Sequence, residues 1–330
     1  MALGGIPLAM AQTNNSVENM FKPVSTPAQH IVDVSLLVLA ICAVIFLVVG
    51  GLLAYTLVRY RRRGVTDEHE PAQVYGSNQI EIAWTVLPII VVLVLTMATA
   101  RVISAIQNRP NPADALQVTV VGHQWWWEFR YPGLGFVTAN ELHVPASTAT
   151  AQKLTFLKLQ SADVAHSFWV PRLSGKTDVI PGRINTMWLE PKQTGTFLGN
   201  CAEYCGTQHA NMLLRVIVHT PEDFAQWAAQ QKASAAVDPQ VQSGRALFLS
   251  LSCVNCHTVS GTPAAGTFGP DLSHLMSRET LASGAIPNGV TNLRSWIQDP
   301  QVSKPGNLMP NMQLNDKELD QVVAYLGSLK

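Results

Sequence analysis

The sequence predicts a multidomain membrane protein with a two-helix transmembrane hairpin, a small β-barrel or sandwich, and a C-terminal all-α domain. Three observations lead to this prediction: two long apolar runs in the first third, a stretch of short alternating strands, and a helical periodicity near the end. The 330 residues suffice for two or three domains. The formal net charge is zero, so nothing in the composition points to nucleic-acid binding.

The hairpin, residues 31–105, is predicted from apolar runs at 31–58 and 82–103. Each run supplies the ~20 apolar residues that are needed to cross a bilayer. A buried helix of a soluble protein is the alternative, but such helices are rarely so uniformly apolar, because one face usually meets water. We therefore expect both runs to span a membrane.

Basic residues predict the orientation of the hairpin. The segment before the first run offers only Lys22, whereas four arginines follow that run: Arg59, Arg61, Arg62 and Arg63. The positive-inside rule places the loop 59–79 in the cytoplasm and both chain ends outside. The pattern thus predicts a multi-pass membrane protein with the later domains on the extracytoplasmic side.

Residues 1–30 form an N-terminal segment ahead of the hairpin. Ala9, Met10 and Ala11 resemble the tail of a signal peptide, although the start is not basic and the apolar stretch is short. We expect a signal remnant here, with a mature end near Gln12.

Residues 113–220 show a β pattern. Leu116, Val118 and Val120 alternate with polar residues, as expected for a half-buried strand. Three consecutive tryptophans, 125–127, must alternate between the faces of a strand, so at least one belongs to the core. Further short strands are predicted at 153–160, 186–190 and 212–219. Short strands separated by Pro and Gly turns favour a sandwich or small barrel.

Residues 221–240 are rich in Ala, Gln, Ser and Asp and are predicted to be a linker. A flexible stretch of about 12 residues would span roughly 20 Å and hold the next domain at about millimolar effective concentration. From 241 to 330 the pattern is helical. Asn315 and Glu318 form a capping box for the last helix, whose predicted apolar face is Leu319, Val322, Val323 and Leu326.

The segment from 201 to 212 indicates a metal site. It combines two thiols, an imidazole and a thioether: Cys201, Cys205, His209 and Met212. These soft ligands suit copper, and a weak axial Met is typical of electron-transfer copper. Two cysteines four residues apart can bridge two coppers, which then require a second imidazole.

His166 is the best candidate for that second imidazole, since it is expected where a strand ends and a loop begins. The other histidines of this domain, His123, His143 and His219, are interpreted as ordinary strand or turn residues. A disulfide or a zinc site is the alternative for the cysteines, but zinc usually takes Cys and His ligands without a Met.

Residues 253–257 form a CxxCH motif, which indicates a covalently attached haem. The thiols of Cys253 and Cys256 add to the haem vinyl groups, and His257 supplies the proximal iron ligand. The sixth ligand should be a Met, which raises the reduction potential. Met309, followed by a proline, is favoured over Met312.

These motifs together resemble known families. The segment 201–212, preceded by His166, by residues 176–183 and by 122–127, and the hairpin motif 81–88 are similar to subunit II of haem–copper cytochrome c oxidases. Residues 240–330 resemble class I cytochrome c. The fusion of the two resembles the caa3-type oxidases of bacteria.

The resemblance implies a cupredoxin barrel that holds a binuclear copper centre, CuA. Cys201 and Cys205 would bridge the coppers, His166 and His209 would cap one copper each, Met212 would be a weak ligand, and Glu203 would bind through its backbone carbonyl. The Glu203 side chain would help to hold a magnesium ion at the interface with subunit I. Trp125 matches the aromatic residue through which electrons enter, and Glu81 the acid at the mouth of a proton pathway.

The implied function is transfer of electrons from haem c to CuA and on to subunit I, which reduces oxygen to water and pumps protons. The implied partners are subunits I and III, a donor cytochrome or bc-type complex, and the membrane. Two alternatives stay open: a subunit of a CuA-containing nitric oxide reductase, against which the hairpin and the Glu81 motif argue, and a membrane electron shuttle with no catalytic partner.

Overall fold

The computed structural model describes residues 18–61, 72–109, 111–235 and 238–330. It contains two compact units, one of residues 29–109 and one of residues 1–28 with 110–330. The expectations for a signal remnant with a mature end near Gln12, and for Arg62 and Arg63, lie outside the described residues.

The first unit contains two long apolar helices, α1 (Thr26–Arg59) and α2 (Asn78–Gln107). Both are long and apolar enough to cross a membrane, and their apolar stretches are not buried within the chain. Each helix extends past the predicted run at both ends, because its end turns also contain polar residues. The predicted transmembrane hairpin is confirmed by these two helices.

The β-domain consists of ten strands. They are β1 (Leu116–His123), β2 (Trp126–Tyr131), β3 (Phe136–Ala139), β4 (Glu141–Pro145), β5 (Thr155–Ser161), β6 (His166–Trp169), β7 (Thr177–Val179), β8 (Asn185–Leu189), β9 (Gly195–Cys201) and β10 (Leu213–His219). They form two five-stranded sheets, in the orders β3-β2-β1-β5-β8 and β4-β10-β9-β6-β7. The pairs β1–β5 and β4–β10 are parallel. This arrangement confirms the predicted cupredoxin-like β fold.

The core of the β-domain lies between the two sheets. Burial alternates along β9 and β10, as the two-residue period of a strand requires. Large side chains from both sheets are fully buried, among them Trp127, Phe129, Tyr131, Leu142, Phe168 and Leu214. Trp127 is therefore the core member of the predicted tryptophan run.

The segment predicted as a linker is partly a helix. Residues from Pro221 form α3 (Pro221–Lys232), which begins at the N-cap Thr220, whose side chain accepts a hydrogen bond from the Asp223 N–H. Trp227 on this helix stacks on His143 at 4.0 Å between ring centroids. An Ala- and Gln-rich composition is compatible with a helix as well as with a linker. The packing of Trp227 on the β-domain favours the helix.

The C-terminal domain contains five helices: α4 (Gln242–Ser250), α5 (Cys253–Cys256), α6 (Val290–Gln298), α7 (Pro300–Ser303) and α8 (Asp316–Leu326). Two short strands, β11 (Thr280–Leu281) and β12 (Ile286–Pro287), were not predicted. The capping box of Asn315 and Glu318 is present, and all four predicted apolar residues of α8 are buried. The helical domain is thereby confirmed.

The helical domain lies directly against the β-domain. Leu213 donates its N–H to the Ser283 carbonyl at 3.1 Å. Gln208 donates to the Pro305 carbonyl at 2.6 Å, and Arg215 pairs with Glu279 at 2.7 Å. Hydrogen-bonding and charged groups of both domains therefore meet at this surface, in addition to the covalent connection through residues 221–240.

We predict that Gly244→Ala destabilises the C-terminal domain. A Cβ at Gly244 would lie 2.0 Å from the Gln321 carbonyl oxygen, so α4 and α8 could not keep their close crossing. Overpacking of this kind costs about 1–3 kcal/mol, more than the gain of up to ~1 kcal/mol in helix propensity. Calorimetry of the full chain should show a lower unfolding temperature.

Gly133→Ala is the matched control, because no heavy atom lies within 4 Å of a Cβ at that position. It should leave the unfolding temperature unchanged. A Gly244→Ala chain that unfolds at the same temperature as the wild type would contradict the close helix crossing.

Candidate metal centre and haem site

The segment with the metal-ligand types is a loop between two paired strands. Burial alternates along β9, so that Cys201, at its end, points into the core. The chain leaves the sheet at Cys201 and returns at Met212, directly before β10. The Cys201 N–H donates to the Met212 carbonyl at 3.0 Å, which closes the neck of the loop. We call residues 201–212 the copper loop.

The copper loop brings the predicted ligands into one cluster. The Sγ atoms of Cys201 and Cys205 lie 3.7 Å apart. The remaining short distances are Cys205 Sγ to His209 Nδ1, 3.6 Å, Cys205 Sγ to Met212 Sδ, 3.8 Å, Cys201 Sγ to His166 Nδ1, 3.9 Å, and Cys201 Sγ to the Glu203 carbonyl oxygen, 3.1 Å. All six predicted positions are therefore within contact of the two sulfurs.

His166 reaches this cluster from the neighbouring strand. It is the first residue of β6, so the expectation that it ends a strand is wrong, although it does adjoin a loop. Its Nε2 forms a hydrogen bond with Asp163 Oδ1 at 2.8 Å, which leaves Nδ1 facing Cys201. Gly122 leaves room for the ring, since a Cβ there would lie 2.8 Å from His166 Cδ2.

Protonation within the cluster follows from these contacts. A hydrogen bond from Cys205 lowers the pKa of the Cys201 thiol to about 3, against the effect of burial. The same hydrogen bond with Cys201, together with burial and the charge on Cys201, in turn raises the pKa of Cys205. Burial raises the pKa of Asp163, but hydrogen bonds from His166 and two backbone N–H groups outweigh it, and the net shift is downward. The site thus favours a thiolate and a carboxylate.

The donor set fits a copper pair better than a disulfide. A disulfide requires the sulfurs to be about 2.05 Å apart, whereas these are separate thiols 3.7 Å apart. Two thiols, two imidazoles and a thioether are soft ligands, which copper prefers. His166, Cys201 and Cys205 have ligand atoms close enough to share one metal ion.

The other histidines of the β-domain have different partners. His123 bonds to Glu128 at 2.9 Å and stacks on Trp126. His143 and His219 bond to each other at 2.8 Å. None of the three contacts the cluster through the hydrogen bonds and ring contacts of the described residues, in agreement with their interpretation as ordinary strand residues.

The CxxCH residues line a largely apolar cavity in the helical domain. Cys253, Cys256 and His257 lie on its wall together with Leu293 and Trp296. His257 Nδ1 bonds to the Pro270 carbonyl at 2.7 Å, which orients the ring and leaves Nε2 available as a metal ligand. Burial lowers the pKa of His257, so the imidazole is held in the neutral form that coordinates iron. These residues fit a covalent haem.

Both candidate methionines, Met309 and Met312, line this cavity. Met309 lies in a loop that is held in place: its N–H donates to Asn307 Oδ1 at 2.8 Å, and its carbonyl accepts from Gln301 at 3.2 Å. Position alone does not distinguish the two, and the preference for Met309 stays a prediction.

Trp125 contacts both sites. Its Nε1–H donates to the Cys205 carbonyl at 2.9 Å, and the residue also lines the cavity that contains Cys253 and Cys256. Gln124 donates to the same Cys205 carbonyl at 2.8 Å. Trp125 therefore contacts the copper loop and forms part of the wall of the haem cavity.

The two remaining predicted residues are acids on the surface of their units. Glu81 lies in the first turn of α2 and is exposed in the isolated chain. Glu203 exposes its side chain, while its carbonyl oxygen faces Cys201. Both side chains are accessible to a neighbouring subunit.

Sequence reasoning missed three residues around these sites: Asp163, Gln124 and Lys304. Asp163 carries a weak signal, because a carboxylate three residues before a candidate ligand histidine often orients the ring. Lys304 carries none, since its partners come from distant parts of the chain: its Nζ donates to the carbonyls of Trp125, Asn211 and Ala282.

Three protein families match the chain. Residues 14–102 match the transmembrane domain of cytochrome c oxidase subunit II, and residues 150–219 match its periplasmic domain. Residues 241–330 match cytochrome c. The matches follow the order of the hairpin, the β-domain and the helical domain.

Curated relatives are similar along most of the chain. Cytochrome c oxidase subunit 2 of Alkalihalophilus pseudofirmus is 36% identical over 93% of this chain and 90% of its own length. The protein of the same name from Bacillus subtilis is 32% identical over 100% and 97%. Among solved structures, the periplasmic domain of subunit II of cytochrome oxidase of Bradyrhizobium japonicum is 33% identical over 37% of this chain and 96% of that one, with a TM-score of 0.34.

Proposed function

The chain belongs to the cytochrome c oxidase subunit II family and carries a fused cytochrome c domain, and on that premise we propose how its residues conduct electrons. Electrons pass from haem c in the C-terminal domain to CuA in the β-domain and then to subunit I. Subunit I uses them to reduce oxygen to water and to pump protons. The bound haem and the copper pair each supply one-electron redox chemistry.

The copper loop supplies the ligands for CuA. Cys201 and Cys205 would hold the copper pair through their thiolates, and His166 and His209 would each supply an imidazole. Met212 and the Glu203 carbonyl would complete the set. The fully buried His166 is held by Asp163, so its ring does not have to reorganise when the charge of the centre changes. In the C-terminal domain, Cys253 and Cys256 would attach the haem, and His257 and Met309 would supply its iron ligands.

One observation carries this proposal: Trp125 lies between the two sites and contacts both. Its hydrogen bond to the Cys205 carbonyl joins the indole to the backbone of a bridging ligand. A short path through one ring and one hydrogen bond supports the role of Trp125 as the residue through which electrons enter CuA.

Further assignments follow from family membership. The chain is a membrane protein with an extracytoplasmic domain. We propose that the membrane is the bacterial inner membrane. It associates with subunit I, and we propose subunit III and a donor cytochrome or bc-type complex as further partners. Glu81 would admit protons toward subunit I, and the exposed Glu203 side chain would help to hold magnesium there. The proposed domain limits are 31–105, 113–220 and 241–330.

Turnover of the complex purified in mild detergent tests the function. We expect oxygen uptake with reduced cytochrome c as donor, and co-purification of a larger haem-bearing subunit. Consumption of nitric oxide without oxygen uptake would indicate a nitric oxide reductase instead. Isolation of the chain alone would indicate a membrane shuttle.

We predict that Cys205→Ser abolishes the mixed-valence copper signal. A serine hydroxyl binds copper poorly and cannot bridge two copper ions as a thiolate does. Electron paramagnetic resonance of the purified complex measures this signal. Ser167→Ala, at a buried hydroxyl outside the donor set, is the control and should retain it. An unchanged signal in Cys205→Ser would refute the bridging role.

We also predict that Met309→Ala opens the haem to external ligands. Loss of the axial thioether leaves a free coordination position, so the reduced haem c should bind carbon monoxide, which is detected by its optical spectrum. Met312→Ala is the matched control and should leave haem c closed. Carbon monoxide binding in Met312→Ala alone would assign the ligand to Met312.

A further inference from the structure

We propose that Lys304 and Glu141 are positioning residues that hold the cytochrome c domain in one fixed position on the β-domain, with Trp125 against the haem cavity. Each is a buried ionisable side chain that reaches from its own domain to the backbone of the other. This proposal rests on the route from haem to copper proposed above, but it concerns how that route is held in place.

Lys304 comes from the helical domain and follows α7. Its side chain is 3% exposed. An ammonium group has three N–H donors, and all three are used here: Nζ donates to the carbonyls of Trp125 and Asn211 at 2.8 Å each and of Ala282 at 3.1 Å. Two of these acceptors belong to the β-domain. One is Trp125 itself, and the other, Asn211, directly precedes the proposed ligand Met212.

Glu141 makes the reciprocal contact from β4 of the β-domain. Its side chain is fully buried. Oε1 accepts hydrogen bonds from the N–H groups of Glu279 and Thr280, at 2.8 and 3.0 Å, and from Thr280 Oγ1 at 3.3 Å. Burial raises the pKa of Glu141 to about 7 even though the nearby charge of Arg278 acts in the opposite direction. The Glu141 carboxylate therefore lies in an environment from which water is largely excluded.

These contacts make docking specific. A buried ion is strongly unfavourable unless hydrogen bonds compensate it. Lys304 Nζ uses all three of its donors. Glu141 Oε1 accepts three hydrogen bonds, whereas Oε2 has no hydrogen-bond partner among the described residues. Lys304 and Glu141 reach their interdomain partners only when the two domains are docked in this register. Any displacement would leave the ammonium and the carboxylate without those partners, so the docked position is sharply defined.

The same contacts also bear on the electron route. Lys304 holds the carbonyl of Trp125, while the indole of that residue is held by the Cys205 carbonyl. Trp125 is thus held both by its backbone carbonyl and by its indole N–H. Loss of Lys304 frees the backbone of this residue and should therefore slow transfer between the two centres.

Amide hydrogen exchange of the full chain in its complex tests the proposal without relying on turnover. The N–H groups of Leu213 and Thr280 form hydrogen bonds across the interface. In Lys304→Met, peptides that contain them should exchange about tenfold faster or more. Peptides from β1 and α8 should exchange as in the wild type, which shows that both domains remain folded.

Lys317→Met is the matched control. Lys317 is an exposed lysine of α8 in the same domain, and its removal should change neither set of peptides. Unchanged exchange at Leu213 and Thr280 in Lys304→Met would overturn the proposal. If Lys304→Met fails to incorporate haem or copper, Glu141→Leu tests the proposal at Leu213, whose N–H bonds to Ser283 and not to Glu141; unchanged exchange at Leu213 in that variant would also overturn the proposal.

A kinetic measurement provides a second readout. Haem c in the oxidised complex is reduced with a light pulse and a ruthenium dye, and its re-oxidation by CuA is followed. We expect a viscosity-independent rate in the wild type and a slower, viscosity-dependent rate in Lys304→Met, because undocked domains must first find each other by diffusion. A variant rate equal to that of the wild type, or a slowed rate without viscosity dependence, would overturn the fixed-docking role. Oxygen uptake by the wild-type complex tests the proposed function separately.

Discussion

The hydrogen bond that closes the neck of the copper loop is the constraint on which the rest of the site depends. The Cys201 N–H and the Met212 carbonyl join the end of β9 to the residue before β10. Sheet register then determines which way the loop faces, because alternation along β9 points Cys201 inward. With the neck fixed, Cys205, His209 and Met212 converge on one side, and β6 needs to deliver only His166. Twelve residues that include only one short 3-10 helix, His209–Asn211, thereby form the site together with His166.

The sequence was informative where the chemistry is local. Cysteines four residues apart followed by a histidine, and a CxxCH motif, indicate their ligands directly, and the structure brings those residues together. The uniformly apolar runs identified the two long helices for the same reason, since a span of apolar residues suffices to define them. The capping box at Asn315 is likewise confined to one turn of helix and could be identified from two residues.

Features that depend on distant contacts were not predictable. The segment 221–240 looked like a linker because its composition is compatible with either state, and only the stacking of Trp227 on His143 identifies a helix. Lys304 looked like any surface lysine, because its acceptors lie at three separate positions in the chain. His166 was expected to end a strand but begins β6. The sequence shows that a strand and a loop meet near this residue, but not on which side of it the strand lies. Tertiary contacts decide each of these cases.

Docking of the two domains also bears on the order in which the protein matures. Trp125 and Trp126 form part of the wall around Cys253 and Cys256, and Gln208 of the copper loop bonds to Pro305. Thioether formation requires the thiols of Cys253 and Cys256 to be reached from outside. Copper delivery requires the same of the thiols of Cys201 and Cys205. The atoms are most accessible before the domains close on each other, so the geometry favours cofactor insertion first and closure last. The surface that conducts electrons in the finished protein is therefore also the one that biogenesis must leave open until its end.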